Sequence, residues 1–217
     1  MRPSAVKPSI IITWIAAITV AVFAGCSRSG RETGTTPSIP TDKAHRKAIS
    51  AVDADGIVKF GPFTARLPTG WKPVAPYSDE YVLQLEIQPL DGDPEAGTVL
   101  ISFHGADDEI DVQSYINRWY GQIIARGGRP TVETARHEEF YHNGLDIHLI
   151  RFSGTFRQSR LRGDPEDSRK PNWMHLSAVV RTPGGPWFFR GTGPKRTMLA
   201  NLERVRRFLM SLEYHES

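Results

Sequence analysis

The chain has 217 residues, with 27 Lys and Arg against 24 Asp and Glu, a net charge of +3 and a sequence pI near 9.1. With 24% charged and 39% hydrophobic residues it has the composition of a globular domain, which excludes a disordered chain and a protein that spans a membrane throughout. A single cysteine excludes an intramolecular disulfide framework and any zinc site built on two or more thiolates.

Residues 1–25 read as an export signal. Arg2 and Lys7 form a positive start, and Ile10 to Phe23 supply 14 residues of apolar run, short of the roughly 20 that a membrane-crossing helix needs. The run ends at Phe23-Ala24-Gly25-Cys26, which resembles a lipobox; the departure is Phe23, where the pattern usually carries an aliphatic residue. The resemblance implies cleavage before Cys26 and transfer of a diacylglyceryl group to its thiol, so membrane lipid is the expected first partner. The alternative is an uncleaved anchor, since Pro8 to Ser27 is a charge-free interval of 20 residues. Either way Arg2 and Lys7 hold the N-terminus inside, placing the rest of the chain outside the cytoplasm. Ser27, in place of Asp, points to the outer rather than the inner membrane by resemblance to sorting rules.

Residues 26–50 hold Ser, Thr, Gly and Pro with almost no large apolar side chain, as in Thr33-Gly34-Thr35-Thr36-Pro37-Ser38, and read as a flexible tether. Residues 51–217 then read as one domain. Extended stretches are expected at Ile57 to Phe60 and Phe63 to Leu67, broken at Gly61-Pro62. Tyr81, Leu83, Leu85 and Ile87 alternate with polar partners, as do Val99, Ile101 and Phe103, and Asp91-Gly92-Asp93-Pro94 between them predicts a hairpin. Asp111 is placed to cap a helix in which Val112, Ile116, Trp119 and Ile123 share one face, with Gly127-Gly128 as its end. Asn143-Gly144 predicts a two-residue turn between strands reaching from about Thr131 to Phe156. Arg157 to Asn172 reads as a polar loop, and Trp173 to Thr182 with Trp187 to Arg190 as a third hairpin. A final helix is expected from near Pro194, with Met198, Leu202, Val205, Leu209 and Leu212 on its apolar face. Strands joined by hairpins specify an α+β fold, with an antiparallel sheet of six to seven strands and two main helices.

Phe63 to Leu67 with Pro68-Thr69-Gly70-Trp71, the middle helix, the long hairpins, Trp187-Phe188-Phe189-Arg190 and the C-terminal Phe208-Leu209-Met210-Ser211-Leu212 resemble, in their order over residues 57 to 213, the PsbP-like fold. That resemblance implies a non-catalytic accessory or assembly protein that binds a larger complex, with lipoprotein members in bacteria; it assigns no binding residue.

Counting outward from the Asn143-Gly144 turn gathers His137, Glu139, Tyr141, Asp146 and His148 on one strand face. Two imidazoles and two carboxylates there could hold a divalent metal or poise a general base; a solvated face with cross-strand ion pairing is the plainer reading. Gly191-Thr192-Gly193-Pro194-Lys195-Arg196 could place an anion on free amides beside Lys195 and Arg196, with Thr192, Gly193, Lys195 and Arg196 as the site, or be a tight turn capped by Thr192. Neither Ser153 nor Ser177 lies in a Gly-x-Ser-x-Gly elbow, and Trp71, Trp119, Trp173 and Trp187 read as core rather than as stacking platforms. The basic run Arg157, Arg160, Arg162, Arg169 and Lys170 is interrupted by Asp164, Glu166 and Asp167 and does not make a nucleic-acid footprint.

No cofactor is expected and no catalytic residue stands out. The sequence supports a lipid-anchored binding or assembly module with a protein partner at the cell envelope. A small-molecule or metal-binding lipoprotein using the second hairpin, and an envelope hydrolase, are the other readings. Without residues 1–25 the net charge is +1, divided into +3 on the tether and −2 on the domain. Within the domain, residues 51–117 carry −9 and residues 118–217 carry +7, an asymmetry that points to internal complementarity or a polarised docking surface.

Overall fold

The structure, a computed structural model, describes residues 52–105, 110–157 and 169–216. Cys26, the tether and the central part of the loop after Arg157 lie outside these residues. The fold is α+β. Strands β1 (Ile57–Phe60) and β2 (Phe63–Arg66) form a hairpin, and β3 (Trp71–Val74), β4 (Leu83–Ile87) and β5 (Gly97–Phe103) a meander. Helix α1 (Val112–Gly121) leads into β6 (Ile123–Ala125), a 3₁₀ turn (Arg126–Gly128) and the single helical turn α2 (Thr131–Thr134). Next come β7 (Arg136–His142), β8 (Leu145–Arg157), β9 (Arg169–Thr182) and β10 (Gly185–Pro194), then α3 (Lys195–Ala200), α4 (Leu202–Met210) and β11 (Glu213–Tyr214).

The main sheet runs β3-β4-β5-β10-β9-β8, all antiparallel, and β6 and β7 share the outer edge of β8. β7 pairs with Leu145 to Arg151 and β6 with Gly154 to Phe156. A separate small sheet is ordered β1-β2-β11. Period-two alternation gives the main sheet two apolar surfaces. On one, Leu83, Leu85, Ile101, Ile147, Leu149, Leu176 and Phe189 pack under the small sheet and α4, through Phe60, Phe63, Val205 and Phe208. On the other, Ile150, Phe152, Val179 and Phe188 are covered by α1 through Ile116, Trp119 and Tyr120. Trp71, Trp119, Trp173 and Trp187 all belong to these cores, each 6% exposed or less.

The Asn143-Gly144 turn forms as expected, with φ of 49° and 79°, and its register pairs His142 with Leu145 and Glu139 with His148. Asp111 caps α1, its Oδ1 accepting from the amides of Gln113 at 3.0 Å and Ser114 at 3.2 Å. Other expectations fail. The helix stops at Gly121, well before Gly127-Gly128, and Ile123 lies on β6 because Ile123–Ala125 pairs with Gly154 to Phe156. Residues 131–134 form α2 rather than the start of a strand, and the expected loop to Asn172 is already strand from Arg169. The final helix is two segments broken at Asn201, which is buried: its Oδ1 accepts from Trp71 Nε1 at 3.0 Å and its Nδ2 donates to the Thr197 carbonyl at 2.8 Å. The described residues hold eleven strands in two sheets and four helices, more than the six to seven strands and two main helices expected. The additions are short or lack alternation.

Sheet order also keeps the charge halves apart. The acidic half supplies β3, β4 and β5, and the basic half supplies the remaining strands of the main sheet. Ion pairs nevertheless cross the divide, among them Lys170 Nζ to Glu95 at 2.6 Å and Arg196 to Asp93 at 3.7 Å.

Candidate functional site

The β7–β8 register places Tyr141 opposite Asp146 and Glu139 opposite His148, with His137 one row further along the same face. β9 extends these rows, because Asp146 pairs with Arg181 and His148 with Val179. All five residues anticipated from the turn therefore share one face, on the side of the sheet that carries α1. Where α1 ends its cover, Glu139, Tyr141, Asp146, His148 and Arg181 line an open groove of about 400 Å³. Asp146 and Arg181, although cross-strand neighbours, form no salt bridge with each other or with any other described residue.

Beside the groove, His137 Nδ1 and His148 Nε2, the latter on a lining residue, are 2.9 Å apart. The ring centres are 5.1 Å apart, longer than the N···N distance by nearly the depth of both half-rings, so the two nitrogens face each other end-on. That is the geometry of one proton shared by two imidazoles. A metal chelate would instead need the two lone pairs to converge on a third point, and Glu139 Oε1 stands 4.0 Å from His148 Nε2. Among the described residues no group of three His, Cys, Asp or Glu side chains is arranged to hold a metal ion. The Tyr120 hydroxyl, 3.2 Å from His137 Nε2, extends the chain to α1. Burial first, and then the adjacent His137, hold the His148 imidazole below its ordinary range; Glu139 opposes them and the Arg181 charge adds to them. A second proton on the dyad would set two N–H donors against each other.

The turn before α3 has a different role from the one its glycines suggested. Thr192 lies within β10 and caps nothing; the residue before α3 is Pro194, which has no capping side chain. Gly193 is buried, and a Cβ there would meet Gly97 Cα at 2.7 Å. The anion at this turn is the protein's own: Asp93 Oδ2 accepts from the Thr197 amide at 3.0 Å and its hydroxyl at 2.6 Å, with Arg196 beside it. Thr197 in turn accepts from the Leu90 amide at 3.0 Å, fastening the β4–β5 loop to α3. Lys195 stays exposed at the rim of a separate open groove. Ser177 is buried, its Oγ 3.3 Å from His175 Nδ1 and 3.4 Å from the Gly191 carbonyl that it bonds. A nucleophile there would have no route to solvent. Ser153 lines the same open groove as Lys195.

Two groupings are not readable from the sequence. Arg190 donates to the hydroxyls of Tyr77 at 3.0 Å and Tyr81 at 3.1 Å, beside a cavity of about 160 Å³ walled by Tyr115 stacked on Phe188 at 4.3 Å. Burial, and then the bond to Tyr77, raise the Tyr81 phenol. His175 lies fully buried, flat against Phe152 at 4.8 Å, and burial pushes its pKa down to about 3. Its Nε2 has no hydrogen-bond partner among the described residues. These residues come together through the pairing of β10 with β5 and of β9 with β8, neither of which a short turn announces.

No helix among the described residues is long and apolar enough to cross a membrane. Compared with known proteins, the chain matches no family model and no curated protein.

Proposed function

We propose that this chain is an exported lipoprotein, held at the cell envelope through Cys26, whose α+β domain is a non-catalytic binding or assembly module. The anchor rests on Phe23-Ala24-Gly25-Cys26 following a basic start and a short apolar run, with the only cysteine of the chain at the one position that lipid transfer requires. The PsbP-like order of elements supports an accessory role, and the outer membrane is the favoured destination.

The observation that carries the binding role is the unequal cover of the main sheet. One face is sealed by the small sheet and α4, whereas the other carries α1, ten residues long, and leaves the polar hairpin face open. Exposed Tyr141, which lines that opening, is a suitable contact for a partner. A photo-crosslinking residue at position 141 in intact cells is expected to give adducts with an envelope partner that the same residue at Lys59, exposed on β1, does not give. Free monomer alone from position 141, or identical adducts from both positions, overturns the reading.

A second reading, small-molecule binding, is favoured by the groove itself, since about 400 Å³ is within the range of ligand sites.

A further inference from the structure

We infer that the groove on the β7–β8 hairpin binds a zwitterionic molecule of the α-amino-acid class, its ammonium held by Asp146 and Glu139 and its carboxylate by Arg181. The inference rests on the small-molecule reading of that groove and adds what the ligand must carry.

Charge of both signs lines the groove without being internally neutralised. Asp146 and Arg181 are directly opposite on adjacent strands and all but side by side, about 5 Å between strands, yet no salt bridge joins them. Glu139 is 81% exposed at its side chain, and among the described residues its ion-pair contact is His148 at 4.0 Å. A simple anion meeting Arg181 would face two carboxylates, and a simple cation meeting the carboxylates would face the guanidinium. A ligand whose ammonium and carboxylate sit on one carbon satisfies both, and their separation suits two heads one strand apart. The remaining walls are consistent with such a ligand. Tyr141, 70% exposed, offers a ring face to a hydrocarbon side chain. His148, whose Nε2 faces His137 Nδ1 at 2.9 Å, supplies a further wall of the groove. The volume of about 400 Å³ admits a single amino acid or a dipeptide.

The test uses the full chain in detergent micelles with ¹³C-labelled histidine rings, so that the His148 resonance reports occupancy of the groove. Three probes share one hydrocarbon frame: L-phenylalanine carries both charges, hydrocinnamate the anion alone, phenethylamine the cation alone. L-Phenylalanine is expected to shift the resonance saturably and to bind at least tenfold more tightly than either single-charge probe. Asp146→Asn and Arg181→Gln, both at exposed positions that the fold does not use, are each expected to weaken it about tenfold. A single-charge probe that binds as tightly, or variants without effect, overturns the zwitterion inference while leaving a ligand groove in place. No shift with any probe overturns both this inference and the small-molecule reading.

Discussion

His175 gives the protein a built-in acid sensitivity. In the folded state its ring is fully buried against Phe152, close enough to the Arg190 charge to be further disfavoured as a cation, and its pKa lies at about 3. In the unfolded chain it returns to about 6.5. The unfolded state therefore binds more protons as pH falls, so this group's contribution is fully present above about pH 6.5 and is lost progressively down to about pH 3. Between about pH 7 and pH 5 the loss amounts to about 2 kcal/mol, a large share of the 5 to 15 kcal/mol typical of a domain. Urea unfolding at both pH values, followed by tryptophan fluorescence, measures it. His175→Gln removes the titration while keeping a polar side chain for Ser177, so its stability is expected to fall by about 2 kcal/mol less than that of the wild type over the same interval. His148 titrates in the same direction in both proteins and cancels in the comparison. Equal pH dependence in wild type and variant would refute the reasoning, whatever the variant's absolute stability.

Two further perturbations test the fold that positions the groove. Gly144 sits at φ 79°, so Gly144→Ala places a Cβ in the left-handed region and is expected to cost about 1 to 2 kcal/mol in urea unfolding, without altering far-UV circular dichroism. Asp93→Ala strips Thr197 of two hydrogen bonds at a carboxylate 8% exposed, for an expected loss of about 2 kcal/mol, whereas Arg196→Ala, 65% exposed at its side chain, should change stability by less than about 0.5 kcal/mol.

Local chemistry was readable where one short signal decides the geometry. Asn143-Gly144 dictates positive φ at two successive residues and thereby the whole β7–β8 register, which is why the shared face of His137, Glu139, Tyr141, Asp146 and His148 follows from counting. Asp111 likewise announces its helix start. What escaped depends on pairings between distant segments. Ile123 continues the helical spacing of α1, yet the Ile123–Ala125 segment gains more by pairing beside Gly154, where a Cβ would collide with the Ile124 carbonyl. Arg181 joins the groove only because β9 pairs with β8 across a long connection, and no turn residue sets that register. The glycines around Thr192 looked like an anion cradle, but they allow close packing against Gly97 and Met198, and the anion is Asp93, about a hundred residues earlier in the chain.

The anchor at Cys26 is the claim on which the cellular account depends, and mass spectrometry of the membrane-extracted protein tests it most directly. The account predicts a mature N-terminus at Cys26 carrying a diacylglyceryl thioether, incorporation of an alkyne fatty acid, and loss of that label together with release from the membrane in Cys26→Ser. An intact N-terminus beginning at Met1, or a Cys26→Ser protein still bound to membranes and unchanged in labelling, would contradict it.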